Sequence, residues 1–210
     1  MVIIFQIFFL TSLVPISSAQ VDKTQDKNLL EGGKEFYKSG NYEEAIEAFS
    51  KVIRKSVDKA ETLEAYVWLG YTYFTIEKPD EARINIEKGV ELSPELELYE
   101  KDFGLEFVKF FKITKTEIVG VVFIETVPSG ATVFIDNSLA GVTPLKRELL
   151  YQKYFMKVVK WGYSPNDQKF EVKRNEANYI KVDLSKGKNW KSFVQSAAIM
   201  VVFSFLIGSL

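Results

Sequence analysis

Val127 to Leu145 reads V-P-S-G-A-T-V-F-I-D-N-S-L-A-G-V-T-P-L, and its turn chemistry and strand pattern specify each other. Pro128 presets φ for a turn, and Gly130 supplies a positive φ just after it. Ala131, Val133 and Ile135 then alternate with Thr132, Phe134 and Asp136, a half-buried strand that Asp136-Asn137 closes. Gly141 and Thr143-Pro144 punctuate the chain again before Leu145 opens another apolar run. The stretch is one corner of a small all-β domain and holds no residue in a catalytic pattern.

Working outward toward the C-terminus, further alternating runs predict six strands in all, near 118–126, 131–136, 145–150, 153–160, 168–173 and 177–184. In the last of them Ile180, Val182 and Leu184 are expected on one face and Tyr179, Lys181 and Asp183 on the other, one dry and one wet. Working toward the N-terminus, the alternation gives way to a helical period at Thr114-Lys115-Thr116, which places a domain boundary near residue 116.

The helical half carries an internal repeat. With Gly33 placed under Gly70, Leu29, Phe36, Gly40, Tyr42, Ala45 and Phe49 fall at the relative positions of Tyr66, Tyr73, Glu77, Pro79, Ala82 and Ile86. Two such units need a neighbour to cover the exposed apolar face. Ser93 as N-cap, Pro94 at the first helical position and Glu95 and Glu97 in the first turn predict a capping helix, the fifth of the region. Its Leu96, Tyr99, Phe103, Phe107, Phe110 and Phe111 would cover the second unit.

The repeat resembles the tetratricopeptide repeat (TPR), with two departures: the spacing of 37 between Gly33 and Gly70 exceeds the usual 34, and Glu77 and Pro79 stand where the first unit has Gly and an aromatic. The resemblance implies helix crossings at the small residues Gly33, Ala45, Gly70 and Ala82, with Tyr42, Phe49 and Ile86 as core, and a concave groove, lined by the first helix of each unit, that receives a protein or extended peptide. The matching positions are Leu30, Lys34 and Tyr37, then Val67, Tyr71 and Phe74. Either the groove is free, or Phe103 and Phe107 of the cap fill it.

The second half resembles the PEGA domain in the order of its pieces: Val121 to Ile124, Pro128-Ser129-Gly130-Ala131, Val133 to Asp136, Gly141-Val142-Thr143-Pro144-Leu145, and Val158-Val159 before Gly162-Tyr163. Ser129 replaces the acidic residue of the name. The resemblance implies a compact transthyretin-like β-sandwich without a catalytic set, of a kind attached to envelope proteins. Trp161 and Tyr163 are its candidate glycan contacts, by stacking on a sugar ring, although an aromatic beside a Gly turn is more often buried.

Both ends of the chain are hydrophobic. Residues 1–19 combine an apolar run from Val2 to Leu10 with Pro15 and small Ser17 and Ala19, as in a secretory signal cut before Gln20. No Lys or Arg precedes Lys23, so an uncleaved anchor is the alternative. Residues 193–210 are almost wholly apolar and as a helix would span roughly 27 Å, close to a hydrocarbon core of about 30 Å. Lys186, Lys188, Trp190 and Lys191 suit the lipid interface before it, while a buried terminal helix is the other reading. The signal places the modules outside the cytoplasm and the lysines favour the inside. The signal acts first, so an exported, membrane-anchored envelope protein is expected. The expected order is signal peptide 1–19, repeats and cap 24–112, sandwich 117–185, basic linker 186–192 and transmembrane helix 193–210.

Composition narrows the chemistry. The 210 residues contain no His and no Cys, which removes imidazole acid–base catalysis, thiol nucleophiles, disulfides and the common zinc ligand sets. No cofactor or metal is expected. Glu125, Asp136 and Asp167 are isolated acids without the spacing of a carboxylate pair, so no enzyme is expected either. Residues 118–210 hold 12 basic against 7 acidic side chains, and the preceding half is acidic. That asymmetry reads as solvated surface or as attraction to anionic lipid or an acidic partner. Nucleic acid is not expected, because no aromatic-basic recognition motif accompanies the charge. Two functions follow: a noncatalytic, membrane-anchored adaptor that holds a protein partner with its repeats and uses the sandwich as spacer or wall-binding module, or a glycan-binding module acting through Trp161 and Tyr163.

Overall fold

The computed structural model describes residues 18–187 apart from 175 and 177, with side chains from residue 28 onward. Residues 1–17 and 193–210, on which the signal and the membrane span are predicted, lie outside the described residues. Among the described residues no helix is long and apolar enough to cross a membrane.

Helices α1 (Ser18–Lys38) and α2 (Tyr42–Lys55), then α3 (Lys59–Thr75) and α4 (Pro79–Leu92), form two antiparallel hairpins. The first turn is made by Gly40 at φ +78° and the second by Glu77 at φ +58°, so the backbone conformation survives the loss of the glycine. Asp58 caps α3 by accepting from the amides of Ala60 and Glu61 at 2.8 and 3.3 Å, and Pro79 opens α4. The hairpins close through their small residues. A Cβ on Gly33 would lie 2.6 Å from the Phe49 ring, and one on Gly70 would lie 3.0 Å from Ile86.

The cap departs from expectation. Residues 93–99 are not helical: Leu96 closes a turn onto the Ser93 carbonyl, and the segment runs extended to Tyr99. Pro-Glu-Leu-Glu-Leu-Tyr-Glu alternates with period two, and the structure obeys that period, with Leu96 and Leu98 inward and Glu95, Glu97 and Tyr99 outward. The apolar residues are satisfied without a helix, so Ser93 and Pro94 do not start one. A short α5 (Glu100–Phe103) follows, then Gly104 at φ +75°, then α6 (Leu105–Ile118). Six helices therefore stand where five were expected.

Helix α6 passes into β1 (Val119–Val127) without a linker. The remaining strands are β2 (Thr132–Ile135), β3 (Ser138–Val142), β4 (Leu145–Leu150), β5 (Lys153–Val159), β6 (Asn166–Glu171) and β7 (Asn178–Asp183). They form two facing sheets, β4-β1-β7 and β3-β2-β5-β6, with β7 parallel to β1 and the other pairs antiparallel. Val122, Ile124, Val133, Met156 and Val158 fill the space between them. Val182 is buried and Tyr179, Lys181 and Asp183 are exposed, as the alternation of the last strand requires.

Among the described residues seven strands replace the expected six, the addition being β3. Asp136 and Asn137, both at positive φ, do not merely end β2: they are the two central residues of a tight hairpin into β3, the geometry that mirror-image turns supply. Asp136 also accepts the Phe155 amide at 2.8 Å, which ties the hairpin to β5.

The modules meet at the end of the sandwich where β1 begins. Val119 and Leu150 pack with Val67, Ile86, Val90, Phe107 and Phe111 in one apolar cluster. Lys115, 7% exposed, donates to the Leu96 carbonyl at 2.8 Å, to Glu97 at 3.2 Å and to Glu148 at 2.6 Å. Arg147 joins β4 to Glu95 at 2.7 Å, and Tyr151 donates to the Thr116 carbonyl at 3.2 Å.

Candidate functional site

The opening stretch from Val127 to Leu145 is framework. Thr143, fully buried, bonds Thr126 through its hydroxyl at 2.6 Å and accepts the Ala131 amide at 3.0 Å, while its backbone exchanges two bonds with Gly130 and Ala131. These bonds join the Pro128–Ala131 turn to the start of β4. Gly130, at φ +76°, has the role the sequence assigns to it.

The six residues expected along the repeat groove divide by position. Leu30 and Val67 are 3% and 4% exposed and belong to the cores, Leu30 with Phe49 and Val67 with Ile86. Lys34 is paired within the helices. Its ammonium lies 2.8 Å from Glu31 and 2.6 Å from Glu64, and 5.9 Å above the Trp68 ring. Burial pulls its pKa down, but the bonds to the two carboxylates outweigh that and leave it raised. Tyr37, Tyr71 and Phe74 do line an open groove, together with Phe103, Phe107 and Leu105.

The cap enters this groove without sealing it. Phe103 lies 5.2 Å from the Tyr71 ring and 5.3 Å from Trp68, and Phe107 lies 4.8 Å from Tyr71 and 5.3 Å from Phe74. A cavity of about 750 Å³ remains between α1, α3, α5 and α6, open to solvent. Its floor is aromatic, and its rim carries Thr75, Glu77 and Glu106. Tyr37 exchanges a hydrogen bond with Thr75 at 3.0 Å, and burial drives its pKa well above the usual tyrosine range. The Tyr37 phenol therefore stays neutral well into the alkaline range. Such a surface buries an apolar side chain of a partner and offers carboxylates to a neighbouring cation.

Leu105 and Glu106 were not anticipated as lining, because they reach the groove only through the break at Gly104. The repeat register marks Glu77 and Pro79 as substitutions but does not say that they face the groove.

In the sandwich, Trp161 is 77% exposed at the turn after β5, where Gly162 takes φ +81°. The burial usual for an aromatic beside a Gly turn does not occur here. Tyr163 is half-buried and forms an isolated antiparallel bridge with Lys186. The two rings thus differ in access. A further cleft of about 540 Å³ lies between the modules, bounded by Ser93, Pro94 and Glu95 on one side and by Asp136, Leu139 and Arg147 on the other.

Comparison with protein families agrees with this architecture. A tetratricopeptide repeat model matches residues 33–54 and 63–96, and the PEGA domain model matches residues 119–188. No curated protein matches the chain.

Proposed function

We propose that this protein, in which tetratricopeptide repeats lead into a PEGA domain, is a noncatalytic, membrane-anchored adaptor of the cell envelope that holds a protein partner in the groove between α1, α3 and the capping helices. The repeats are a protein-interaction module, and PEGA domains belong to extracellular and periplasmic proteins. The observation that carries the reading is the aromatic cavity left open beside the cap. A folded chain does not ordinarily leave Tyr37, Tyr71, Phe74 and Phe103 around a solvent-filled space of that size without use. In this reading the apolar segment 193–210 is the anchor and the sandwich holds the groove away from it.

Full-length protein in detergent, used to capture partners from membranes of its own cells, should retain a reproducible protein. Leu105→Glu changes an exposed rim residue and leaves the core intact. It is expected to lower retention about tenfold, the equivalent of about 1.4 kcal/mol. Equal retention by the variant and the parent would remove the groove as the site.

A second reading, glycan binding, has one observation in its favour, the open indole of Trp161. The half-buried Tyr163 does not supply the second stacking face that a sugar chain would use.

A further inference from the structure

The sandwich has two unlike ends. One is covered by the helices. The other gathers Val127, the Gly130 turn, Val142, and Lys160 to Tyr163, and it is where the chain leaves the domain: Asp183 is opposite Val127, and the Leu184 amide donates to the Val127 carbonyl at 2.8 Å. The residues that follow are stitched to the Trp161 turn. The Ser164 amide donates to the Ser185 carbonyl at 2.9 Å, Lys186 bridges to Tyr163, and the Gly187 amide donates to the Gly162 carbonyl at 3.0 Å. The chain therefore departs beside Trp161.

This end is apolar and basic at its surface. Val127, Val142 and Trp161 are all more than half exposed, the indole most of all. Lys160 reaches across the turn to donate to the Gly130 carbonyl at 3.1 Å, and Lys186 is exposed next to it in the bridge; Asp183 is the acid on the same edge. Only five residues separate Gly187 from Phe193, where the apolar segment begins. Fully extended, these five residues bridge about 20 Å from Gly187 to Phe193. Two of them are lysines and one is Trp190, which gives the segment the same chemistry as the turn above it.

We propose that the Lys160–Tyr163 turn is a lipid-interface contact, with the Trp161 indole seated among the headgroups and Lys160 and Lys186 directed to their phosphates. The inference rests on the reading of 193–210 as a membrane anchor. It selects lipid over glycan because the tether holds this end within about 20 Å of the bilayer. An exposed indole flanked by lysines is also the pairing that lipid interfaces favour. The sandwich then stands upright, and β1, nine residues long, carries the helical groove about 27 Å further from the membrane.

The test is fluorescence of the full-length protein in vesicles of phosphatidylcholine and phosphatidylglycerol with brominated acyl chains, which quench only tryptophans at the bilayer. The three tryptophans are Trp68, Trp161 and Trp190, and Trp68 lies in α3 among the helices as an internal reference. Loss of quenchable emission in both Trp161→Phe and Trp190→Phe is the expected result. Loss in Trp190→Phe alone overturns the contact and leaves the anchor standing. Absence of any quenching overturns both. Trp161 emission that ignores the brominated lipid but shifts on adding glycan strands assigns the turn to the glycan instead.

Discussion

Gly33 is the residue on which the first helical hairpin closes, and its neighbour decides what a side chain there would do. A Cβ would stand 2.6 Å from Phe49 Cε1, and the Phe49 ring is itself stacked 6.2 Å from Trp68, so it has nowhere to swing. Gly33→Ala gains helix propensity of about 1 kcal/mol but overpacks the crossing by about 1–3 kcal/mol. A net loss is expected, read as a lower urea midpoint at unchanged slope. Gly70→Ala is the milder comparison, because its nearest neighbours, Ile86 Cδ1 at 3.0 Å and the Ala82 carbonyl at 3.3 Å, stand further off than the Phe49 ring does from Gly33. A Gly33→Ala midpoint equal to or above that of Gly70→Ala would contradict the account. Both crossing glycines were legible in the sequence, since an internal repeat puts small residues in register. The burial of Leu30 and Val67 was not: position in a repeat says which helix faces the groove, but the rotation of that helix is settled by packing against α2 and α4.

At the scale of elements, legibility followed the strength of the local pattern. Six strands were readable, four of them (β1, β5, β6 and β7) with alternating burial, whereas β3 was hidden because Ser-Leu-Ala-Gly-Val has little β-propensity and its signal sat in the Asp136-Asn137 turn before it. The capping segment reads either way, because Leu96 satisfies an extended pattern with Leu98 and a helical one with Tyr99 and Phe103. Its real control point is Gly104, at φ +75° and ψ +156°, a region only glycine occupies without strain. It joins α5 to α6 and so sets Phe103 and Phe107 into the groove. Gly104→Ala is expected to cost about 1–3 kcal/mol and to move Phe103 off Trp68. The measurement is thermal unfolding together with tryptophan emission of the folded state, compared with Gly32→Ala, whose added Cβ meets nothing within 4 Å. Identical stability and emission for the two variants would mean that the break does not place the cap.

At the scale of the whole molecule, the uneven charge of the two halves is partly consumed inside the chain. Arg147 of the basic half binds Glu95 of the acidic half, and Arg174 donates to the Glu117 carbonyl. Opposite fields in a sequence do not say whether they meet each other or a partner, because that depends on how α6 and β1 orient the modules. Since α6 continues directly into β1 and Val119 and Leu150 lie in the helical core, the repeats and the sandwich should unfold as one unit. Lys115 is the polar pin of that junction. Lys115→Ala leaves the Leu96 carbonyl without this donor and the part-buried Glu148 without its cation, a loss of about 1–3 kcal/mol once the solvent access of the carboxylates is allowed for. The signature is in the shape of the transition as well as its position: calorimetry should give one transition for the parent chain and two for Lys115→Ala. The Lys115→Ala and Glu148→Ala effects should also fail to add, with a coupling of at least about 0.5 kcal/mol. Two transitions in the parent chain, or strict additivity, would mean that the modules are only tethered. A rigid junction is what the proposed lipid contact requires if the sandwich is to hold the groove at a set height.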